Sequence, residues 1–248
     1  MPEGYCTLED LRIALQEAEL PGDLSQDKQL AVRAIAAQTE PLEKELKRHW
    51  YAPSGADILD EATDIDIPTG PKTRDDEEDI PTGSAFLVDD EGPKPKTSQG
   101  DYAKITLARR DAESIEALHV RQADGTYEDW AASSDYSEGS WPPSGEDFYL
   151  RVNNGGWSRV YLDTTNLLEE DEDDEYVLDS FANAVYLEWS YGHEGIPDNV
   201  RRAVALRAAA MFVDEAAIQI PDNVRVSSVD ALADKFETRA DELLEVYR

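Results

Sequence analysis

Apolar residues recur at helical spacing at both ends of this chain and alternate at period two through its middle, and that change of period constrains the fold more than any other feature. Near the start, Thr7-Leu8-Glu9-Asp10 has the form of a capping box, with Asp where Glu is usual, and Leu8, Leu11 and Leu15 follow on one face. The spacing predicts a first helix over about 7–18. Pro21-Gly22-Asp23 breaks it, and Ser25 can cap a second helix with Leu30, Ala34 and Ala37 on one face, ending near Gln38. Pro41 suits the first turn of a third, short helix, with Leu42, Leu46 and Trp50 at four-residue intervals.

At the other end, Pro197 and Asp198 open a segment in which Ala203 to Val213 is apolar on nearly every side except at Arg207, as expected of a buried central helix. A last helix over about 228–247 places Val229, Leu232, Phe236, Ala240, Leu243 and Tyr247 along one stripe, able to pack internally or on another chain. The predicted helical core is Leu8, Leu11, Leu15, Leu30, Val204, Met211 and Phe212. Ile-Pro-Asp-Asn-Val-Arg occurs at 196–201 and again at 220–225, which reads as a reused helix-start turn rather than a domain repeat.

Between the ends, 53–95 turns to Asp, Glu, Pro, Thr and Gly, with Asp-Ile-Pro-Thr-Gly at 66–70 and 79–83, and reads as loop or linker. Asp64, Asp66 and Gly70 do not make a calcium loop, because Pro68 intrudes and the Gly offset is wrong. Strands are expected over 102–107 and 115–120, turning at Asp124-Gly125 and returning through 127–130. A second hairpin alternates at Phe148, Leu150 and Val152, turns at Asn153 to Gly156, and returns over 157–162; Val185, Leu187, Trp189 and Tyr191 mark a last strand. The fold class is therefore α+β. Helices from 1–51 and 196–248 form one bundle, 52–83 is an acidic Pro/Thr/Gly linker, and 84–195 is an inserted antiparallel β domain, a barrel or sandwich.

Charge sets the function classes. Against 23 Lys and Arg stand 55 Asp and Glu, a formal net charge of −32, so the chain cannot gain affinity for nucleic acid by releasing phosphate counterions. Intrinsic disorder would account for acidity but not for five Trp, eleven Tyr and five Phe. Acidity in a folded protein fits a salt-loving organism or its virus, since at molar salt the Debye length falls to about 3 Å and self-repulsion is screened. Cys6 is alone, so no intrachain disulfide forms and a small buried residue in a reducing compartment is expected. The apolar run of 203–213 is too short to cross a bilayer and no charged-then-apolar leader precedes it, so no membrane partner is expected.

No catalytic set emerges. His49, His119 and His193 lie in separate segments without a second ligand at zinc spacing, and each reads as a surface or packing residue. There is no Gly-x-Ser-x-Gly, no phosphate-cradling Gly-Lys-Ser/Thr loop and no Gly-x-Gly-x-x-Gly after a strand. The seven acids of 169–175 read as a solvated loop rather than a metal cage. No catalytic, cofactor or metal residue is assigned, and no enzyme is expected.

Tyr5-Cys6-Thr7-Leu8-Glu9-Asp10-Leu11-Arg12, followed by a second helix near Asp27, resembles the opening of the head-tail connector adaptors of tailed viruses. The segment Ile196 to Leu206, which begins with Pro and runs into an Ala-rich stretch, is similar to that family's later helix. The resemblance implies a mainly helical subunit in the virion neck, between capsid and tail, made in the host cytoplasm. It implies partners: the portal, a tail-side neck or tail protein, and further copies in a ring of about twelve closed by cyclic symmetry. DNA would pass through the lumen without specific binding. The stripe Val229, Leu232, Phe236, Ala240, Leu243 and Tyr247 would then be the portal or subunit interface. The β insertion departs from the family, and a place outside the ring is expected for it. The alternative is a halophilic cellular binding module whose β domain recognises a protein or carbohydrate.

Overall fold

The computed structural model describes residues 2–15, 25–54, 65–75, 102–122, 126–142, 144–163, 185–217 and 227–248. The protein is α+β and divides into two compact units, one of residues 1–71 with 193–248 and one of residues 72–192. The turns expected at Pro21-Gly22-Asp23 and Asp124-Gly125, the acidic run 169–175 and the second Ile-Pro-Asp-Asn-Val-Arg lie outside the described residues.

The first unit is built from α1 (Leu8–Ala14), α2 (Ser25–Leu46), α3 (Asp198–Ala217) and α4 (Ser227–Leu244), the last continued by a 3₁₀ turn, Glu245–Tyr247. The capping box is real. The Thr7 hydroxyl accepts from the Asp10 amide, and the Asp10 carboxylate accepts from the Thr7 amide at 2.8 Å, so two otherwise orphaned donors are satisfied. The helix stops at Ala14, earlier than its periodicity suggested. Helix α3 is the centre: Val200, Ala203, Val204, Ala208 and Ala209 are fully enclosed, and α1, α2 and α4 all pack on it. Apolar residues on nearly every side suit a helix with neighbours on every side.

Pro41 does not begin a new helix; it lies inside the 22-residue α2. An interior Pro costs about 3 kcal/mol. Ala31, Ile35, Leu42 and Leu46 keep one buried face running through it, and burying a leucine returns about 1.5–3 kcal/mol each. Tertiary burial thus outweighs the local break. Of the predicted core, Leu8, Leu11 and Val204 are buried, while Leu15, Met211 and Phe212 are partly buried against the same cluster. Leu30 is only half-buried and lies outside that cluster.

A short parallel pair, β1 (Trp50–Tyr51) with β10 (His193–Glu194), ties the chain's two crossings out of this unit. Ile65 and Ile67, inside the stretch read as linker, are buried, and Asp66 is held through backbone bonds with Pro2 and Gly4. The alternation of Ile with Asp there is a strand-like pattern that Pro and Gly neighbours masked.

The second unit holds two four-stranded sheets around one core. One runs in the order β2 (Lys72–Asp75), β9 (Val185–Tyr191), β4 (Ala112–Arg121), β5 (Tyr127–Asp129); the other runs β3 (Tyr102–Thr106), β8 (Ser158–Asp163), β7 (Phe148–Val152), β6 (Glu138–Gly139). Both sheets feed the same cluster, with Leu118, Val185 and Trp189 from one and Ile105, Phe148 and Val160 from the other, which makes a sandwich. Among the described residues of this unit, the strand pairs are antiparallel except β6 with β7. The β7–β8 hairpin turns where expected: the Asn153 carboxamide oxygen accepts from the amides of Gly155 and Trp157, and Gly156 takes φ +78°. In β4, irregularities at 112/114 and 115/117 let Ile115 and Leu118 both face inward, which strict alternation forbids. β2 also falls within the stretch read as linker, which is a correction to that boundary.

Candidate assembly site

The segments 5–12 and 196–206 meet. Arg201 of α3 places one guanidinium nitrogen 3.2 and 2.9 Å from the two carboxylate oxygens of Asp10 at the start of α1, across 191 positions of sequence. Burial alone would raise the Asp10 carboxyl, but the Thr7 amide and hydroxyl and Arg201 outweigh it and hold it below its ordinary range. Cys6 lies buried beside this pair; burial pushes its thiol well up, Asp10 adds to that, and Arg201 opposes it. The capping carboxylate therefore serves both helix start and helix seam.

A second set of charges closes the far side. Arg207, the one cation in the apolar run, reaches Glu45 of α2 at 2.9 Å and Asp241 of α4 at 2.8 Å, and Arg248 reaches the same two carboxylates at 2.7 and 3.1 Å. Partial burial would raise Glu45; hydrogen bonds from Arg248 and Arg207 prevail and depress it, and Arg207 likewise depresses Asp241. Three helices and the C-terminal residue share one network.

Sequence reasoning missed a buried polar cluster. The Tyr5 hydroxyl donates to Glu43 Oε1 and accepts from the Trp50 amide at 3.1 Å; His49 Nδ1 is 2.9 Å from the same Glu43 oxygen, and Nε2 donates to the Gly70 carbonyl at 3.1 Å. Tyr5 and His49 are fully enclosed and Glu43 nearly so. Of the other histidines, His119 and His193 are exposed. His193 takes part through its backbone, its amide donating to the His49 carbonyl at 2.9 Å.

The predicted interface stripe divides. Phe236 and Ala240 are buried in the subunit's own core, and Leu243 and Tyr247 are partly buried against it, so these four are spent internally. Leu232 is 40% exposed, and Val246, which the stripe did not include, is 74% exposed. Val229 lies in α4. Between α1, α3 and α4 runs a groove of about 470 Å³, lined by Arg201, Arg202, Lys235 and Arg239 against only Asp10 and Asp198, with Ile13 on its rim. In a chain of net charge −32, a groove with four cations to two acids is a local inversion.

Fold and site together define an α+β protein whose helical unit is closed by ion pairs and bears a cation-rich groove. No family model matches the chain, and no curated protein matches it. Among solved structures it is similar to a chain in the "Neck of empty GTA particle computed with C6 symmetry", at 12% identity and a TM-score of 0.42, over 92% of this chain and 87% of that one. So distant a likeness carries no argument about what this chain does.

Proposed function

We propose that the protein is a structural component of a virion neck, a ring-forming head-tail adaptor that joins portal to tail and lets the genome pass. The observation that supports this most is the Arg201–Asp10 seam, because it joins the two segments whose residues resemble adaptor helices into one packed unit. A ring subunit needs such a rigid block to present faces to its neighbours. The acidic surface fits a conduit that must not retain DNA, since it offers no series of phosphate contacts. A salt-loving host and a ring of about twelve copies belong to the same reading. Portal contact would then fall on the exposed side chains of α4 and its extension, Leu232 and Val246, with the buried part of the stripe supporting them.

The test is genetic and structural. Particles assembled without this chain should be filled heads lacking tails, and image reconstruction of complete particles should place it in the neck. Tailed particles forming normally without it would refute the proposal.

A second reading has one observation in its favour. On the β unit, Trp141 is 49% exposed with the Arg151 guanidinium 4.0 Å over its ring, beside Asn154 in an open depression of about 620 Å³. Such a surface would suit a binding module for protein or carbohydrate; glycan-array binding lost on Trp141→Ala would favour it.

A further inference from the structure

We propose that the α1–α3–α4 groove receives the acidic flank of α4 from a neighbouring copy of this chain, so that copies associate head to tail through opposite charge. The inference rests on the ring reading above and names its contact.

Where salt leaves them unscreened, subunits of net charge −32 repel one another except where one face offers the charge that the other lacks. Helix α4 is built that way. Lys235 and Arg239, four residues apart, line the groove on one side of the buried Phe236–Ala240 face, joined there by Arg202 of α3. None of these three cations makes an ion pair among the described residues. The other side of α4 and its 3₁₀ extension carries Asp234, Glu237, Asp241 and Glu245 at spacings of three and four. There Glu237 and Asp241 line a separate groove of about 470 Å³ whose one cation, Arg207, is already engaged with Glu45 and Asp241. Asp234, Glu237 and Glu245 are exposed and likewise without an ion-pair partner among the described residues.

The two flanks are different surfaces of one subunit. Contact between them is therefore heterologous, the kind that propagates around a ring rather than stopping at a pair. Opposite charges across such a contact also fix orientation and disfavour like-to-like docking. Ile13, 65% exposed, supplies apolar area at the groove.

Charge swapping tests this on the full chain, with sedimentation velocity at moderate ionic strength and rising protein concentration as the readout and circular dichroism as the check on folding. Wild type should form a ring-sized species. Lys235→Glu with Arg239→Glu, and separately Asp234→Lys with Glu237→Lys, should each stay monomeric with unchanged helix content. An equimolar mixture of the two variants should recover association, because every contact is again between opposite charges. Association that persists in either variant, or that fails to return in the mixture, overturns the groove contact while leaving the ring reading standing. Wild type that stays monomeric throughout, with portal added as well, overturns both.

Discussion

Replacing Phe236 by Ala separates a core role from an interface role, and the structure sets the size of the effect. The ring is 6% exposed and lies where α4 packs on α3. A buried phenylalanine removes about 200 Å² from water. At about 25 cal/mol per Å² that is about 5 kcal/mol. Alanine keeps the β-carbon and a compact unfolded chain already hides some of the ring, which brings the transfer loss to about 3 kcal/mol. The unfilled space adds to it, so about 3–5 kcal/mol is expected. That is a large share of a total stability of about 5–15 kcal/mol. Leu232→Ala, at a 40% exposed site on the same stripe, should cost well under half as much. Urea unfolding followed by far-ultraviolet ellipticity reads the helical unit, because all four described α-helices belong to it. A loss below about 1 kcal/mol for Phe236→Ala, or a larger loss for Leu232→Ala, would refute the assignment of this face to the subunit's own core.

Glu45, Asp241 and Asp10 have folded pKa values below their ordinary ones, so in acid the unfolded chain binds their protons first. The stability they contribute is complete above about pH 5 and is lost as pH falls through their depressed folded values; Arg207→Met should make the acid limb of the melting-temperature profile shallower, and an unchanged limb would count against the network. Cys6, buried and with its thiol pushed up, should resist thiol-reactive dye in the native state and react on unfolding, and labelling at the rate of a free thiol would contradict its placement. Tyr5→Phe deprives the buried Trp50 amide of its acceptor and Glu43 of a donor, and a loss of about 1–3 kcal/mol in denaturant unfolding is expected, against none if the cluster were incidental.

Much of the fold was legible because burial imposes period. The alternation at Val185, Leu187 and Trp189 marked β9, the apolar run around Ala203–Ala210 marked the central helix, and Thr7 with Asp10 marked where α1 begins. What period does not encode is what covers a face. The α4 stripe was visible, but whether Phe236 met α3 or another chain depended on tertiary packing. Nor does period reveal local breaks that burial overrides, such as Pro41 inside α2, or the irregularities that turn both Ile115 and Leu118 inward. Long-range charge partners leave almost no local trace. Arg207 stood out as a lone cation in the apolar run, but nothing there named Glu45 and Asp241 as its partners. Nothing near His49 announced that it would meet Tyr5 and Glu43.

The placement of the cations is the larger lesson of the molecule. A chain with 23 basic residues against 55 acids has few cations to place, and where they lie is informative. Arg201 and Arg207 are spent on seams between helices, where partial burial weakens screening, and the more exposed Arg248 joins the same carboxylates as Arg207. Arg202, Lys235 and Arg239 line a groove without neutralising any acid of the described chain. In an overwhelmingly acidic protein, cations withheld from internal pairing and gathered in one concavity raise the local potential above that of the surrounding surface. On the proposed groove contact, a copy approaching with its acidic flank forward would be drawn to that concavity and repelled elsewhere at ionic strengths that leave surface charge unscreened.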